Sequence, residues 1–258
     1  MLARARHDGE QLNNRLIEKV LEFGQRYRKE YLESEYSRTG LEQDWWNSLE
    51  FFFDHAFYQG RRDDVSTRVK DAAEAVLREN KQLVDGGFLN NDRKVLKELL
   101  DSKIGKGKVG KKRDVAMVVS ILEFLSTIPR RNIVAYTVKQ IQDSTINSHY
   151  RELQNKITQV GPKVASFYLR DVVSLFELWH EVSDESQEYL QPIDTWVRKL
   201  ALKAKLAEQG DSDEKIRASI VTLCDQENVS PLQFNQGAWY LGYHSFDLLL
   251  DLLSEGQG

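Results

Sequence analysis

Apolar residues recur at intervals of three and four along most of this chain, with charged residues between them. In the segment 13–33, for example, Leu16, Val20 and Phe23 are separated by polar positions, which is the spacing of one buried face of a helix. Proline and glycine are sparse, with 4 and 15 residues respectively. We therefore predict an all-α fold, with further helices over 44–58, 65–83, 91–100, 115–128, 149–159, 163–178, 195–209, 213–227 and 246–253.

Composition narrows the class of protein. Hydrophobic residues make up 41% and charged residues 29% of the chain, which is typical of a soluble globular protein. The net charge of -4 argues mildly against a nonspecific nucleic-acid coat protein but allows DNA binding through a local basic face. No apolar run approaches the ~20 residues that a membrane span requires, and the first residues lack the apolar stretch of a signal peptide. We expect a cytoplasmic protein.

Cysteine and histidine usage predicts no metal site. Cys224 is the single cysteine of the sequence, so this chain alone forms neither an internal disulfide nor a thiolate cluster for zinc or iron–sulfur. The five histidines show no metal-ligand spacing, and no organic cofactor is implied.

The segment 103–113 is strongly basic. Six of its eleven residues are lysine or arginine and three are glycine. One interpretation is a solvated flexible connector. The other is a DNA-binding loop in which Lys106, Lys108, Lys111 and Lys112 contact phosphates, an interaction that is sensitive to salt and carries no sequence information.

A sharper pattern follows in the second half of the chain. A helix is predicted to end near Gln159, Val160 and Gly161 form a turn, and Pro162 fits the first turn of the next helix because its missing N–H is not needed there. We expect Gly161 to supply backbone angles that most residues avoid. The amides of such a turn and helix N-terminus can bind an anion such as a DNA phosphate; an ordinary helix–turn–helix corner would show the same pattern.

A second pattern surrounds Asp194. It follows Pro192 and Ile193 and precedes a run of good helix formers. An aspartate at this place is typical of a helix N-cap, whose carboxylate accepts backbone N–H bonds. Capping does not prevent the same carboxylate from taking part in chemistry.

Together, Val160-Gly161-Pro162-Lys163-Val164-Ala165 and Pro192-Ile193-Asp194-Thr195-Trp196-Val197-Arg198 resemble the helix-hairpin-helix DNA glycosylase superfamily, over about 50 residues. Two departures stand out, since the first hairpin glycine of the family falls on Gln159 and the Lys163–Asp194 spacing is longer than usual. This spacing, the absence of a C-terminal cysteine cluster and the segment 235–239 are most similar to the archaeal 8-oxoguanine glycosylase branch.

The resemblance implies two interleaved helical lobes, one over about 61–189 and one that combines about 1–60 with 190–258. It also implies a DNA glycosylase with AP-lyase activity, in which Lys163 attacks the sugar C1′ and forms a Schiff base that permits β-elimination. Asp194 would stabilise the oxocarbenium charge and help place or deprotonate the amine. Two alternatives stay open: a glycosylase for another base, either alkylated or a hypermodified phage base, and a noncatalytic DNA-binding module.

The expected partner is double-stranded DNA with a modified base, bound by a monomer. The base must leave the stack, and flipped bases are held between aromatic or apolar side chains. Because of its place near the C-terminus, Trp239 is the first candidate, and core packing is the competing interpretation for each aromatic residue. Asn235 and Gln236 are candidates for contacts to a base edge, and the further aromatic candidates are Phe167, Trp45 and Trp46.

Overall fold

In the computed structural model, residues 2–58, 62–85, 90–105 and 111–255 are described, with side chains for 15–58, 62–85, 92–105 and 111–244. Every regular element in these ranges is a helix and none is a strand, so the predicted all-α class is confirmed. The α-helices are α1 Leu2–Tyr27, α2 Arg38–Gln43, α3 Trp45–Ala56, α4 Asp63–Glu79, α5 Lys81–Asp85, α6 Asn90–Leu100, α7 Lys112–Thr127, α8 Ile133–Gln142, α9 Ile146–Lys156, α10 Pro162–Phe176, α11 Thr195–Lys203, α12 Asp213–Gln226 and α13 Pro231–Glu255.

Shorter helical turns join some of these elements. The segments Arg28–Glu33 and Asp101–Gly105 are π-helical, and Pro129–Arg131, Trp179–Glu181 and Asp184–Leu190 are 3-10 helices. Helices α2 and α8 were not expected from the sequence. Helix α13 starts at Pro231, well before the predicted start at residue 246, because Phe234, Ala238 and Leu241 are buried on one helical face despite the glycine between them.

The chain forms two compact units, and the boundary between them falls within α10. A terminal unit combines 1–35 with 173–258, and a central unit comprises 36–172. The sequence placed these boundaries near residues 60 and 190. The difference arises in part because α2 and α3 pack on α8, inside the central unit: Asn132 donates to the carbonyl oxygen of Leu41 at 2.7 Å, and Ser48 accepts from the amide of Val134 at 2.9 Å.

The core of the central unit is aromatic. Phe51, Phe52, Phe53 and Phe57 are completely buried on or directly after α3, and the ring of Tyr168 from α10 packs against Phe52 with centroids 4.8 Å apart. Aromatic pairs of this kind add to the free energy of burial. The prediction of a buried aromatic helix over 44–58 is confirmed, and the Asp44 carboxylate caps it by accepting from the amide of Trp46 at 2.7 Å.

The core of the terminal unit is built by α1, α11, α12 and α13. The side chains that meet there are apolar, and they include Leu16, Ile17, Val20, Val197, Leu200, Ile216, Ile220, Phe234, Ala238 and Leu241. Helices α1 and α13 run along each other over a long contact. Helix α13 carries three of the candidate site residues, Asn235, Gln236 and Trp239.

Glycines allow α1 and α13 to approach each other backbone to backbone. A methyl group on Gly237 would overlap the carbonyl oxygen of Val20, and one on Gly24 would overlap the carbonyl oxygen of Gln233. Both obstacles are main-chain atoms, so a rotamer change cannot relieve them. The contact therefore depends on the absence of a side chain at both positions.

We predict that Gly237→Ala destabilises the protein. Overpacking of this kind costs about 1–3 kcal/mol, in spite of the higher helix propensity of alanine. Thermal and urea unfolding followed by circular dichroism would measure the change. Gly161→Ala is the matched control, since no atom lies within 4 Å of the added methyl group; equal stability of the two variants would contradict the close approach.

Candidate functional site

The sequence motif with Lys163 lies at a tight connection between two helices of the central unit. Helix α9 ends at Lys156 and α10 begins at Pro162, so residues 157–161 form the connecting turn. Val160 donates to the carbonyl oxygen of Ile157 at 3.2 Å, and both side chains are buried. The amide of Thr158 donates to the Ser120 hydroxyl of α7 at 2.9 Å, which ties the turn to the core.

The chain reverses at Gln159 rather than at Gly161. Gln159 adopts a φ of 67°, whereas Gly161 is not among the described residues with positive φ. The expectation that Gly161 supplies the unusual backbone angles is therefore wrong. The physical reason is Pro162, since a residue before proline is restricted to extended conformations. Gln159 thus has a backbone conformation that glycine adopts most readily.

Lys163 is the second residue of α10, directly after Pro162, and its side chain is half-buried. The first turn of a helix leaves its amide groups without intrahelical acceptors. In α10 these include the amides of Lys163 and Val164, because Pro162 has no N–H and the amide of Ala165 donates to Gly161 at 3.0 Å. Val164 and Ala165 are buried, so the face opposite Lys163 anchors the helix.

A buried ionic network follows on α10. The Arg170 guanidinium donates to Asp171 through Nε at 2.8 Å, and Nε2 of His55 lies 3.0 Å from the same carboxylate. All three side chains are buried. The guanidinium also lies over the ring of Phe167, 4.8 Å from its centroid. One face of the Phe167 ring, one turn after Lys163, is therefore in contact with a buried cation.

Opposing effects act on Asp171. Burial acts to raise the pKa of this carboxyl, but the charge of Arg170 and the hydrogen bond with His55 outweigh it and hold the pKa well below its usual range. The carboxylate therefore stays ionised and keeps Arg170 paired. Removal of either partner would leave an uncompensated buried charge, which is strongly destabilising.

Asp194 caps α11 in the terminal unit, as its sequence context indicates. Its Oδ1 atom accepts from the amides of Trp196 at 2.9 Å and Val197 at 2.8 Å. The preceding residues 191–193 belong to no helix, and side chains of other helices bond to their backbone. Nε of Arg217 donates to the carbonyl oxygen of Gln191 at 3.0 Å, and Nδ2 of Asn235 donates to that of Pro192 at 3.2 Å.

The candidate base contacts Asn235 and Gln236 are both buried on α13. The side-chain amide of Asn235 donates to the carbonyl oxygen of Pro192, and Gln236 accepts a long 3.4 Å hydrogen bond from the hydroxyl of Ser174. The structure thus gives both side chains protein partners. Their contact with a base stays a prediction.

Trp239 lies in an aromatic cluster of the terminal unit. Its ring is parallel to that of Tyr243, with an angle of 9° and centroids 5.1 Å apart. Tyr27 and Tyr31 approach it at steep angles, each with centroids 5.4 Å away. Trp239 is half-buried and Tyr243 is 48% exposed, so the stacked pair reaches the surface rather than the centre of the core.

The remaining candidates are spread over the central unit. Trp45 and Trp46 start α3 and pack together at 4.6 Å, and Trp46 is buried, which favours core packing for that residue. Lys111 and Lys112 are exposed at the start of α7. Lys106 and Lys108 lie outside the described residues. Lys163 belongs to the central unit and Asp194 to the terminal unit.

Sequence reasoning missed the side chains that hold the candidate residues in place. The Arg170–Asp171 pair had a detectable signal, because these adjacent opposite charges are the only charged residues of the sequence between Val164 and Leu175. His55 and Arg217 had no such signal in the sequence, since their partners Asp171 and Gln191 lie 116 and 26 positions away along the chain.

Comparison with protein-family models, with curated proteins and with solved structures gave no match. Within the described ranges, no helix is long and apolar enough to cross a membrane. No group of three or more histidine, cysteine, aspartate or glutamate side chains in the described part of the chain could hold a metal ion.

We predict that Gln159→Gly stabilises the protein by about 1 kcal/mol, because a left-handed backbone costs a residue with a Cβ atom about 1–2 kcal/mol and costs glycine nothing. The change also removes Nε2, which is buried without a hydrogen-bond partner among the described residues. Thermal unfolding would measure it. Gln154→Gly is the control, since it lies within α9 and should destabilise by about 1 kcal/mol. A loss of stability in both variants would contradict the strain at Gln159.

Proposed function

We propose that this protein is a DNA glycosylase with AP-lyase activity, which excises a modified base, with 8-oxoguanine as the best candidate. The observation that carries the proposal is the position of Lys163. A half-buried lysine follows the 157–161 turn directly, in the first turn of α10. This is where the resemblance to helix-hairpin-helix glycosylases places the attacking amine.

In the proposed reaction, Nζ of Lys163 forms a bond to C1′ as the glycosidic bond breaks. The base leaves with the electron pair of that bond and takes up a proton. The new ammonium loses one proton, and its nitrogen then opens the sugar ring to a protonated Schiff base as the ring oxygen takes up a proton. Loss of a C2′ proton expels the 3′ phosphate, and water finally hydrolyses the Schiff base and frees Lys163. Each step uses atoms of the DNA, of Lys163 and of water, and none requires a further reactant.

Asp194 would serve the same reaction as a carboxylate. Positive charge develops on the sugar as the base departs, and a fixed negative charge nearby lowers the energy of that state. The cap of α11 suits this role, because its two amide bonds fix Oδ1 of Asp194 and so leave the carboxylate little freedom to turn away. A noncatalytic DNA-binding module would need this carboxylate only as a helix cap.

The 157–161 turn would bind a DNA phosphate. The amides of Lys163 and Val164 in the first turn of α10 provide donors, and the positive end of the helix dipole favours an anion there. A phosphate bound at this place would keep the target nucleotide close to the Lys163 amine.

Phe167 and Trp239 are the best supported candidates for stacking on the flipped base. Phe167 lies one helical turn from Lys163 and is half-buried over Arg170. One face of Trp239 is covered by Tyr243, which is 48% exposed. A base would therefore stack on the other face of Trp239 or displace the tyrosine side chain.

We predict that borohydride traps the wild-type protein on DNA that contains its substrate base, because reduction makes the Schiff base permanent. A panel of duplexes with single modified bases, led by 8-oxoguanine and followed by alkylated and hypermodified bases, would identify that substrate. Lys163→Gln keeps the length and polarity of the side chain without the amine, so it should bind DNA but neither trap nor cleave it.

Asp194→Asn tests the role of the carboxylate separately from that of the Lys163 nucleophile. Asparagine caps helices nearly as well as aspartate, so the variant should fold with near wild-type stability and still lose most of its excision activity. Full activity of this variant would show that Asp194 is only a cap. Excision by the wild type without any trapping would show that Lys163 is not the nucleophile, and binding without excision of any base would indicate a DNA-binding module.

We further predict that Lys111 and Lys112 contribute to DNA binding through phosphates. The double substitution to alanine should weaken binding to all DNA sequences and reduce the slope of log K against log salt by about one unit per lost contact. Fluorescence anisotropy across a salt series would measure it. Lys139→Ala with Lys215→Ala is the matched control, since both side chains are exposed, at 69% and 61%. Equal slopes for the two double variants would exclude a specific role for Lys111 and Lys112.

A further inference from the structure

The backbone that leads to Asp194 is irregular and buried. Residues 191–194 lie between the 3-10 helix Asp184–Leu190 and α11, and Gln191, Pro192 and Ile193 are buried. Buried carbonyl groups outside regular structure need hydrogen-bond donors from elsewhere in the protein. The two side chains that supply donors here come from different helices.

Arg217 of α12 and Asn235 of α13 donate hydrogen bonds to consecutive carbonyl groups of this segment. Nε of Arg217 donates to Gln191 at 3.0 Å, and Nδ2 of Asn235 donates to Pro192 at 3.2 Å. Arg217 is 6% exposed and Asn235 is 0% exposed. Burial of polar and charged side chains is costly, and Nη2 of Arg217 has no acceptor among the described residues. An apolar contact would stabilise the unit at lower cost.

We propose that Arg217 and Asn235 are positioning residues for Asp194. They bond to the two peptide groups that precede Ile193. The amides of Trp196 and Val197, which follow Asp194, bond to the carboxylate itself. The position of the carboxylate is thus fixed through its backbone as well as through its side chain. This inference rests on the proposed function, since it assigns the two residues to the excision step.

A purely structural role would affect stability without a selective effect on chemistry. The chain offers a matched comparison for this, because Gln233 lies on α13 two residues before Asn235. Its Nε2 atom donates to the carbonyl oxygen of Leu21 on α1 at 2.9 Å. The same kind of bond, made by the same helix, therefore holds a backbone that does not lead to Asp194.

The test compares Asn235→Leu, which keeps the volume and removes the donor, with Gln233→Leu as the control. Single-turnover excision would be measured on duplex DNA with the modified base that the wild type excises, beside DNA affinity and thermal unfolding. Small misplacements of a catalytic group cost up to about 100-fold in rate. We expect a loss of about 10- to 100-fold for Asn235→Leu and less than about twofold for Gln233→Leu, with DNA affinity unchanged in both.

A double-mutant cycle tests whether the effect passes through Asp194. In the Asp194→Asn background, Asn235→Leu should cause no further loss, because the group that it positions no longer acts. Arg217→Met, which removes the donor to Gln191 with an unbranched apolar chain of similar length, should behave in the same way. It replaces Asn235→Leu in the cycle if the latter does not fold.

The outcomes separate the two proposals. If the wild type excises a base and Asp194→Asn does not, while Asn235→Leu and Arg217→Met match Gln233→Leu, the positioning role is wrong and the proposed function stands. Additive losses in the Asp194→Asn background would equally overturn the positioning role. If the wild type excises no base and forms no trapped complex, the proposed function fails and this inference fails with it.

Discussion

The close approach of α1 and α13 is the constraint on which the terminal unit depends. At Gly24 and Gly237 the two backbones lie against each other, and neither position has room for a Cβ atom. On α13, Asn235 donates to the carbonyl oxygen of Pro192, and Trp239 stacks on the exposed Tyr243. The helix that carries these polar and aromatic groups can therefore approach α1 only because both positions are glycine.

In the central unit, α10 is held by buried contacts while Lys163 in its first turn is half-buried. The buried face of α10 packs against the aromatic residues of α3. The bonds of Asp171 with His55 and Arg170 add polar contacts that fix the rotation of α10 about its axis. Since a buried network of this kind is costly unless every member is paired, the rotation that places Lys163 is specified rather than incidental.

Features that depend on neighbouring residues along the chain could be predicted from the sequence. The all-α class, the buried aromatic helix and the cap at Asp194 follow from periodicity, side-chain type and the preference of aspartate for helix ends. Long-range contacts control the rest. Gln159 has a left-handed backbone in a turn that is tied to α7 through the bond between Thr158 and Ser120. The side chain of Asn235 is buried against the segment before α11, where it donates to the carbonyl oxygen of Pro192, 43 positions away along the chain.

Which amine of the protein forms the bond to DNA is the most direct test of the central claim. The wild-type protein would be reduced with borohydride on substrate DNA, and the crosslinked peptide would be digested and located by mass spectrometry. The expected result is a single adduct on Nζ of Lys163. An adduct on a different amine, or an active enzyme that yields no adduct, would contradict the assignment of Lys163 as the nucleophile.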